Sequence, residues 1–188
     1  NKRLSYDRLV ARIFCVVLNG NKPTGCDDLE LEDMYDREYD KSELVLAKNK
    51  VKKCLDFIFE IAQIRKAFNS NINVEYAVML YRLYFSYTKR YKNWKVIDHK
   101  QFDRRLTLAM NENMNGSFDL AKTVIVSPNG KTTTRSEVFK KCLRRHSDVE
   151  NWNKTIDFLE ETSHMNPDNL FEQGIIQIVN SRYISQDT

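Results

Sequence analysis

Leu9, Val10, Ile13, Phe14 and Val17 recur at the three- and four-residue spacing of one helix face, with Arg8 and Arg12 on the opposite flank. They predict a first helix over Leu4–Leu18, capped by Ser5 and stopped by the turn-rich run from Asn19 to Gly25. From Glu43 to Phe68 a second pattern is wider. Val51, Leu55, Ile58 and Ala62 make one stripe, and Cys54, Phe57, Ile61 and Ile64 broaden it until the centre is apolar nearly all round. Such a helix is buried on most sides, so it is expected to be the central core helix, ended by Asn69-Ser70-Asn71. A third helix, Val74–Tyr91, carries Tyr76, Leu80, Leu83, Tyr87 and Tyr91 on one face and Val78, Met79, Tyr84 and Phe85 beside them. An aromatic stripe can stack nucleobases. Here it reads as core with hydroxyl groups at its edge.

The remaining pattern predicts a helix from Asp98 to about Asn113 and a break at Gly116. A helical turn follows near Ser117–Lys122, then a short β-branched run, Thr123–Val126, closed by Pro128. Asn129-Gly130 is a turn dipeptide. Thr134 and Glu137 form a T-x-x-E capping box, in which each side chain reaches the other residue's free backbone N–H. The helix it starts has two unlike faces: Val138, Phe139, Cys142 and Leu143 on one side, Lys140, Lys141, Arg144 and Arg145 on the other, with His146 at its end. Ser147 and Glu150 form another box leading into Trp152, Ile156 and Leu159. Asn166-Pro167 starts a last helix, expected over Asp168–Val179. The fold class is therefore all-α, an irregular bundle of about seven helices around Glu43–Phe68 and Val74–Tyr91, with at most a trace of β near Thr123–Val126.

Charge changes this picture more than composition does. The net charge is +4, yet residues 27–43 hold nine acids against Arg37 and Lys41, a net of −7, which leaves +11 on the rest. That stretch reads as an acidic loop with at most a short helix. A basic body with an acidic loop turned away suits contact with nucleic acid; an ordinary solvated surface is the plain alternative. Lys89, Arg90, Lys92 and Lys95 around Trp94 add a second cluster of cations interleaved with an aromatic residue. Five Gly and three Pro are too few for a loop-rich sandwich or a glycine-turned nucleotide-binding sheet. Cys15, Cys26, Cys54 and Cys142 are widely spaced with no C-x-x-C, so zinc and redox motifs lack support. Reduced thiols fit a cytoplasmic protein, and neither a membrane span nor a signal-peptide core is visible. The 188 residues read as a single helical domain, and the start at Asn1 is expected to mark a processed form or a fragment of something longer.

No complete catalytic site is visible. Gly130-Lys131-Thr132 invites a phosphate-loop reading, but the motif's first glycine would fall at Ile125, and Pro128 has no N–H to give. A turn followed by a helix cap is the better account. His99, His146 and His164 are far apart and lack metal-ligand spacing. The acids of 27–43 lack the order and mid-loop glycine of a calcium loop. No cofactor is expected.

Two stretches resemble one family. The run Asn1-Lys2-Arg3-Leu4-Ser5-Tyr6-Asp7-Arg8-Leu9-Val10-Ala11-Arg12-Ile13-Phe14 resembles the opening of the helical half of GmrS-type proteins, which carry a ParB-like N-terminal domain. Gly130-Lys131-Thr132-Thr133, with Arg135-Ser136-Glu137-Val138 and Lys140-Lys141, is similar to the run that ends that half, although Cys142-Leu143 stands where the pattern has Arg-Ile. The resemblance covers residues 1–146 and leaves 147–188 as additional C-terminal helices. It implies the helical part of a modification-dependent restriction or phage-defence protein, whose parent is an NTP-dependent nuclease. The Asp-Gly-Gln-Gln-Arg-like signature of the upstream half and the His-Asn-His nuclease motif are both absent from this chain. Arg3 and Arg12 match recurrent family arginines, implying a role toward the missing domain or a phosphate; a surface charge and a packing arginine are the plain alternatives.

Two functions follow as expectations. The first is non-specific DNA contact through Lys140, Lys141, Arg144 and Arg145, supported by Lys89, Arg90 and Lys92. The second is a protein-interaction scaffold that docks its own upstream ParB-like domain or a homodimer mate. No membrane partner is expected.

Overall fold

The computed structural model describes residues 2–24, 28–68, 70, 72–145 and 149–179, with residues 2–6 and 28 described by backbone alone. The Arg3 and Ser5 side chains, Cys26, Asn69, Asn71, His146 and Ser147 lie outside the described parts. The described residues are mostly helical. Its helices are α1 (Lys2–Leu18), α2 (Asp28–Asp36), α3 (Lys41–Ala67), α4 (Val74–Arg90), α5 (His99–Met114), the single turn α6 (Asp119–Lys122), α7 (Arg135–Arg144), α8 (Val149–Glu160) and α9 (Pro167–Glu172). Four three-residue strands, β1 (Trp94–Val96), β2 (Val124–Val126), β3 (Thr132–Thr134) and β4 (Ile176–Ile178), make two antiparallel pairs, β1 with β4 and β2 with β3. The all-α class holds, and among the described residues no helix is long and apolar enough to cross a membrane.

The centre of the molecule is α4, not α3. Tyr76 through Leu83 is a continuous buried run, continued by Phe85 and Tyr87. α3 buries only the stripe Ala47, Val51, Cys54, Phe57, Ile58 and Ile61. It leaves Leu44, Val45, Leu46 and Phe59 exposed. Apolar content around a helix thus overstates burial when its neighbours, α1, α4 and α5, leave part of its surface uncovered. The tyrosines of α4 are core. Tyr87 donates to the Met165 carbonyl at 3.4 Å, and its ring meets Trp94 edge-on at 5.2 Å. Trp94 also packs on Phe57, and its indole N–H donates to Thr88 Oγ1 at 3.0 Å. Neither Tyr87 nor Trp94 offers a free face to a base. Between α3, α4 and α5, Asp103 Oδ1 accepts from Tyr76 OH at 2.6 Å and Arg65 Nε at 2.7 Å, with the Arg65 guanidinium lying 3.7 Å over the Tyr76 ring.

Three segments depart from the sequence reading. Residues 28–36 form a nine-residue helix, because Leu31 and Met34, three apart, bury against the rest while the acids face water. α1 begins at Lys2, ahead of Ser5. The last helix stops at Glu172 instead of running to Val179. Gly174 takes φ +65°, a left-handed conformation that suits glycine, and Ile175 N–H returns to the Leu170 carbonyl at 2.9 Å. The chain then leaves as β4 and pairs with β1 in the register Trp94↔Ile178, Val96↔Ile176.

Candidate nucleic-acid interface

α7 and the hairpin before it are the best-anchored charged element of the molecule. Thr134 Oγ1 accepts from the Glu137 N–H at 3.3 Å, and the Glu137 carboxylate accepts from the Thr134 N–H at 2.8 Å, so the capping box forms as expected. A third bond, from Thr133 Oγ1, reaches the same carboxylate at 2.8 Å. These donors, the Thr134 backbone first, hold the Glu137 carboxyl below its ordinary value.

Two buried arginines fix the two ends of α7. At its start, Arg135 donates to Asn113 Oδ1 at 2.6 Å and to the Phe158 carbonyl at 2.9 Å, ion-pairs with Glu161, and lies 4.1 Å over the Phe158 ring. Ser136 Oγ donates to the Met114 carbonyl at 2.8 Å. At its end, Arg82 of α4 donates to the Cys142 carbonyl at 3.3 Å, to Thr155 Oγ1 at 3.1 Å and to the Arg145 carbonyl at 3.5 Å. Arg82 is fully buried, its Nε has no partner, and no carboxylate pairs with it among the described residues. Burial lowers its pKa. The last carbonyls of α7 carry the negative end of the helix dipole, so a guanidinium there both caps the helix and finds partial compensation.

With Phe139, Cys142 and Leu143 buried and Val138 half-buried, the other face of α7 is left to water. Lys140, Lys141, Arg144 and Arg145 are all exposed, and none takes part in an ion pair with a described residue. The second cationic group is different. Lys89 and Lys92 are exposed at the end of α4, but Arg90 is bound to Glu160 at 2.6 Å. Lys89 and Arg90 line a small pocket with Trp152 and Asn153, about two turns of α4 beyond Arg82. Arg12 is half-buried and close enough to Arg82 for their charges to oppose each other.

Beside α7 runs a cleft of about 820 Å³, walled by the β2–β3 hairpin, α7 and α8. It contains Lys131, Lys141 and Lys154, with Glu137 as its one carboxylate, over apolar lining from Ile125, Val138 and Phe158. The sequence places Lys131 in the broken phosphate loop and in the family-like run, and nothing in it singles out Lys154, although i,i+4 pairing with Glu150 marks it as a surface lysine. The phosphate-loop reading fails structurally as well. Gly130 sits in the hairpin turn at φ +77°, and a second strand, β3, separates it from the helix. The other large groove, about 860 Å³ between α1, α3 and α4, is mostly apolar and balances Asp56 against Lys66, so it offers nothing to an anion.

The two described histidines have carboxylate partners: His99 with Glu60 at 2.6 Å and His164 with Glu112 at 3.1 Å. No group of three potential metal ligands occurs among the described residues. No protein-family model, curated protein or solved structure matches this chain.

Proposed function

We propose that this chain is a nucleic-acid-contacting helical module that holds DNA by its phosphates along the outer face of α7. The observation that carries the reading is the set of four exposed cations, Lys140, Lys141, Arg144 and Arg145, on a helix whose two ends are fixed by buried arginines. Unpaired cations on a rigid face meet an anionic backbone with little ordering cost, whereas surface lysines already in ion pairs must give those up. Such contacts carry affinity without reading sequence. Lys89 and Lys92 have a supporting role, and Arg90 a lesser one because of its bond to Glu160. The resemblance of residues 1–14 and 130–141 to GmrS-type proteins supports placing the module in a restriction or phage-defence protein, with an upstream ParB-like domain supplying the chemistry. Binding of the chain to duplex DNA, followed across salt, tests the proposal. The expected result is micromolar or tighter binding at low salt that the fourfold change Lys140, Lys141, Arg144 and Arg145→Ala removes; no binding, or no loss in that variant, overturns it.

A second reading has its own observation. Leu29 and Tyr35 are exposed on α2, within the acidic stretch, and Leu44, Val45 and Leu46 on the first turns of α3, just after it. Exposed apolar side chains beside acids suit docking of a basic protein surface. Sedimentation alone and with the upstream half measures it; a strict monomer with no affinity for that half ends this reading.

A further inference from the structure

The cleft between the hairpin, α7 and α8 is lined by lysines over apolar side chains. Its lysines come from three elements: Lys131 from the hairpin, Lys141 from α7 and Lys154 from α8. Lys131 and Lys141 have no ion-pair partner among the described residues, and Lys154 is joined to Glu150. The only carboxylate in the wall, Glu137, already accepts from Thr133 and Thr134, so it is held in place by the capping box. The cleft is thus cationic over an aliphatic lining, Ile125 and Val138.

Three amides of the hairpin turn are already engaged. Ser127 N–H donates to the Lys131 carbonyl at 2.9 Å, Gly130 N–H to the Ser127 carbonyl at 2.8 Å, and Lys131 N–H to Asn129 Oδ1 at 3.2 Å. The charge that faces an anion here comes from the lysine ammonium groups. Phe158 does not supply an open stacking face either, because Arg135 lies over its ring and Phe139 stacks at 6.2 Å. A planar group would rest on aliphatic side chains. About 820 Å³ is within the range of small-ligand sites and exceeds what one nucleotide occupies.

We infer that this cleft is a nucleotide-binding site, taking a phosphate between Lys131 and Lys141 and the attached base against Ile125 and Val138. The unit has two sources, a free nucleotide or an unpaired nucleotide of a strand. Lys141 belongs both to the cleft and to the outer face of α7, so a strand lying along that face would deliver its unpaired nucleotide here. The site itself does not depend on duplex binding by α7.

The test uses the whole chain with three probes: thymidine monophosphate, a short single strand and the same sequence as a blunt duplex. Affinity and amide chemical-shift changes are read for the wild type, Lys131→Glu and the double variant Arg144→Ala/Arg145→Ala. Expected are shifts clustered at Thr132, Val138, Lys141 and Asn151 with the mononucleotide. Lys131→Glu should lose roughly tenfold or more in affinity for mononucleotide and single strand, while keeping most of its duplex binding. The double variant should do the reverse. Saturable binding of the mononucleotide without the single strand assigns the site to free nucleotides; a single-strand preference assigns it to unpaired bases. Absence of shifts in the cleft with either probe, or unchanged affinity in Lys131→Glu, overturns the inference whatever the duplex does.

Discussion

Arg82 sets the terms at the residue scale. A permanently charged group at zero exposure, with only carbonyl and hydroxyl acceptors, is expensive to bury. It is retained where the end of α7 turns its negative pole inward. Replacing it with Met removes the charge but leaves the Cys142 and Arg145 carbonyls without their donor. The expected cost is about 1–3 kcal/mol, with faster amide exchange over residues 140–145; an unchanged denaturation midpoint and exchange pattern would contradict the clamp. Tyr84 gives a second, pH-dependent outcome. Burial, then the nearby Cys54 and Asp56, push its phenol up to about 12, and burial raises Tyr76 and Tyr87 as well. A raised phenol favours the neutral form in the fold. Its stabilising effect is complete below the ordinary value of 10.0 and is lost as pH climbs through about 12. Urea midpoints should therefore stay flat to about pH 9.5 and fall above 10, and Tyr84→Phe should make that fall shallower.

At the scale of elements, what was legible in the sequence was what is local. The capping box of α7 needs only Thr134 and Glu137, three residues apart, and it formed as read. Thr134→Ala should cost about 1 kcal/mol, seen as a lower melting temperature with the hairpin's amide signals broadened first. The two-faced pattern of α7 was legible for the same reason. What was not legible depended on partners distant in sequence. Ile175 and Ile176 continue the apolar spacing of α9, and only the pairing with Trp94–Val96 takes Ile176 into a strand. Gly174 was the available signal. Gly174→Ala should destabilise by about 1–2 kcal/mol, whereas Gly116→Ala, with no positive φ and open space around it, should change stability by less than half of that. The cleft was invisible because Lys131, Lys141 and Lys154 share a wall only once the hairpin and α8 dock on α7. Acid density hid α2, where Leu31 and Met34 were the residues to weigh.

The whole molecule divides its charge between an acidic helix, α2, and a basic body. If four cations of α7 contact phosphates, log affinity for duplex DNA should fall against log salt with a slope of about −3 to −4, and each Ala substitution should flatten it by roughly one. A slope that does not respond to those substitutions would place the contacts elsewhere. The β1–β4 pair has a different reach. It joins residues about 80 apart, burying Val96 and Ile176 and covering the Trp94 side of the aromatic core. A ribosome adds about 5–20 residues each second, so α4 and β1 leave the exit tunnel several seconds before the strand that covers them exists. Throughout that interval the nascent chain carries an open strand edge beside Trp94. Completion of the aromatic core is therefore timed by the emergence of residues 175–178, which close over Trp94–Val96.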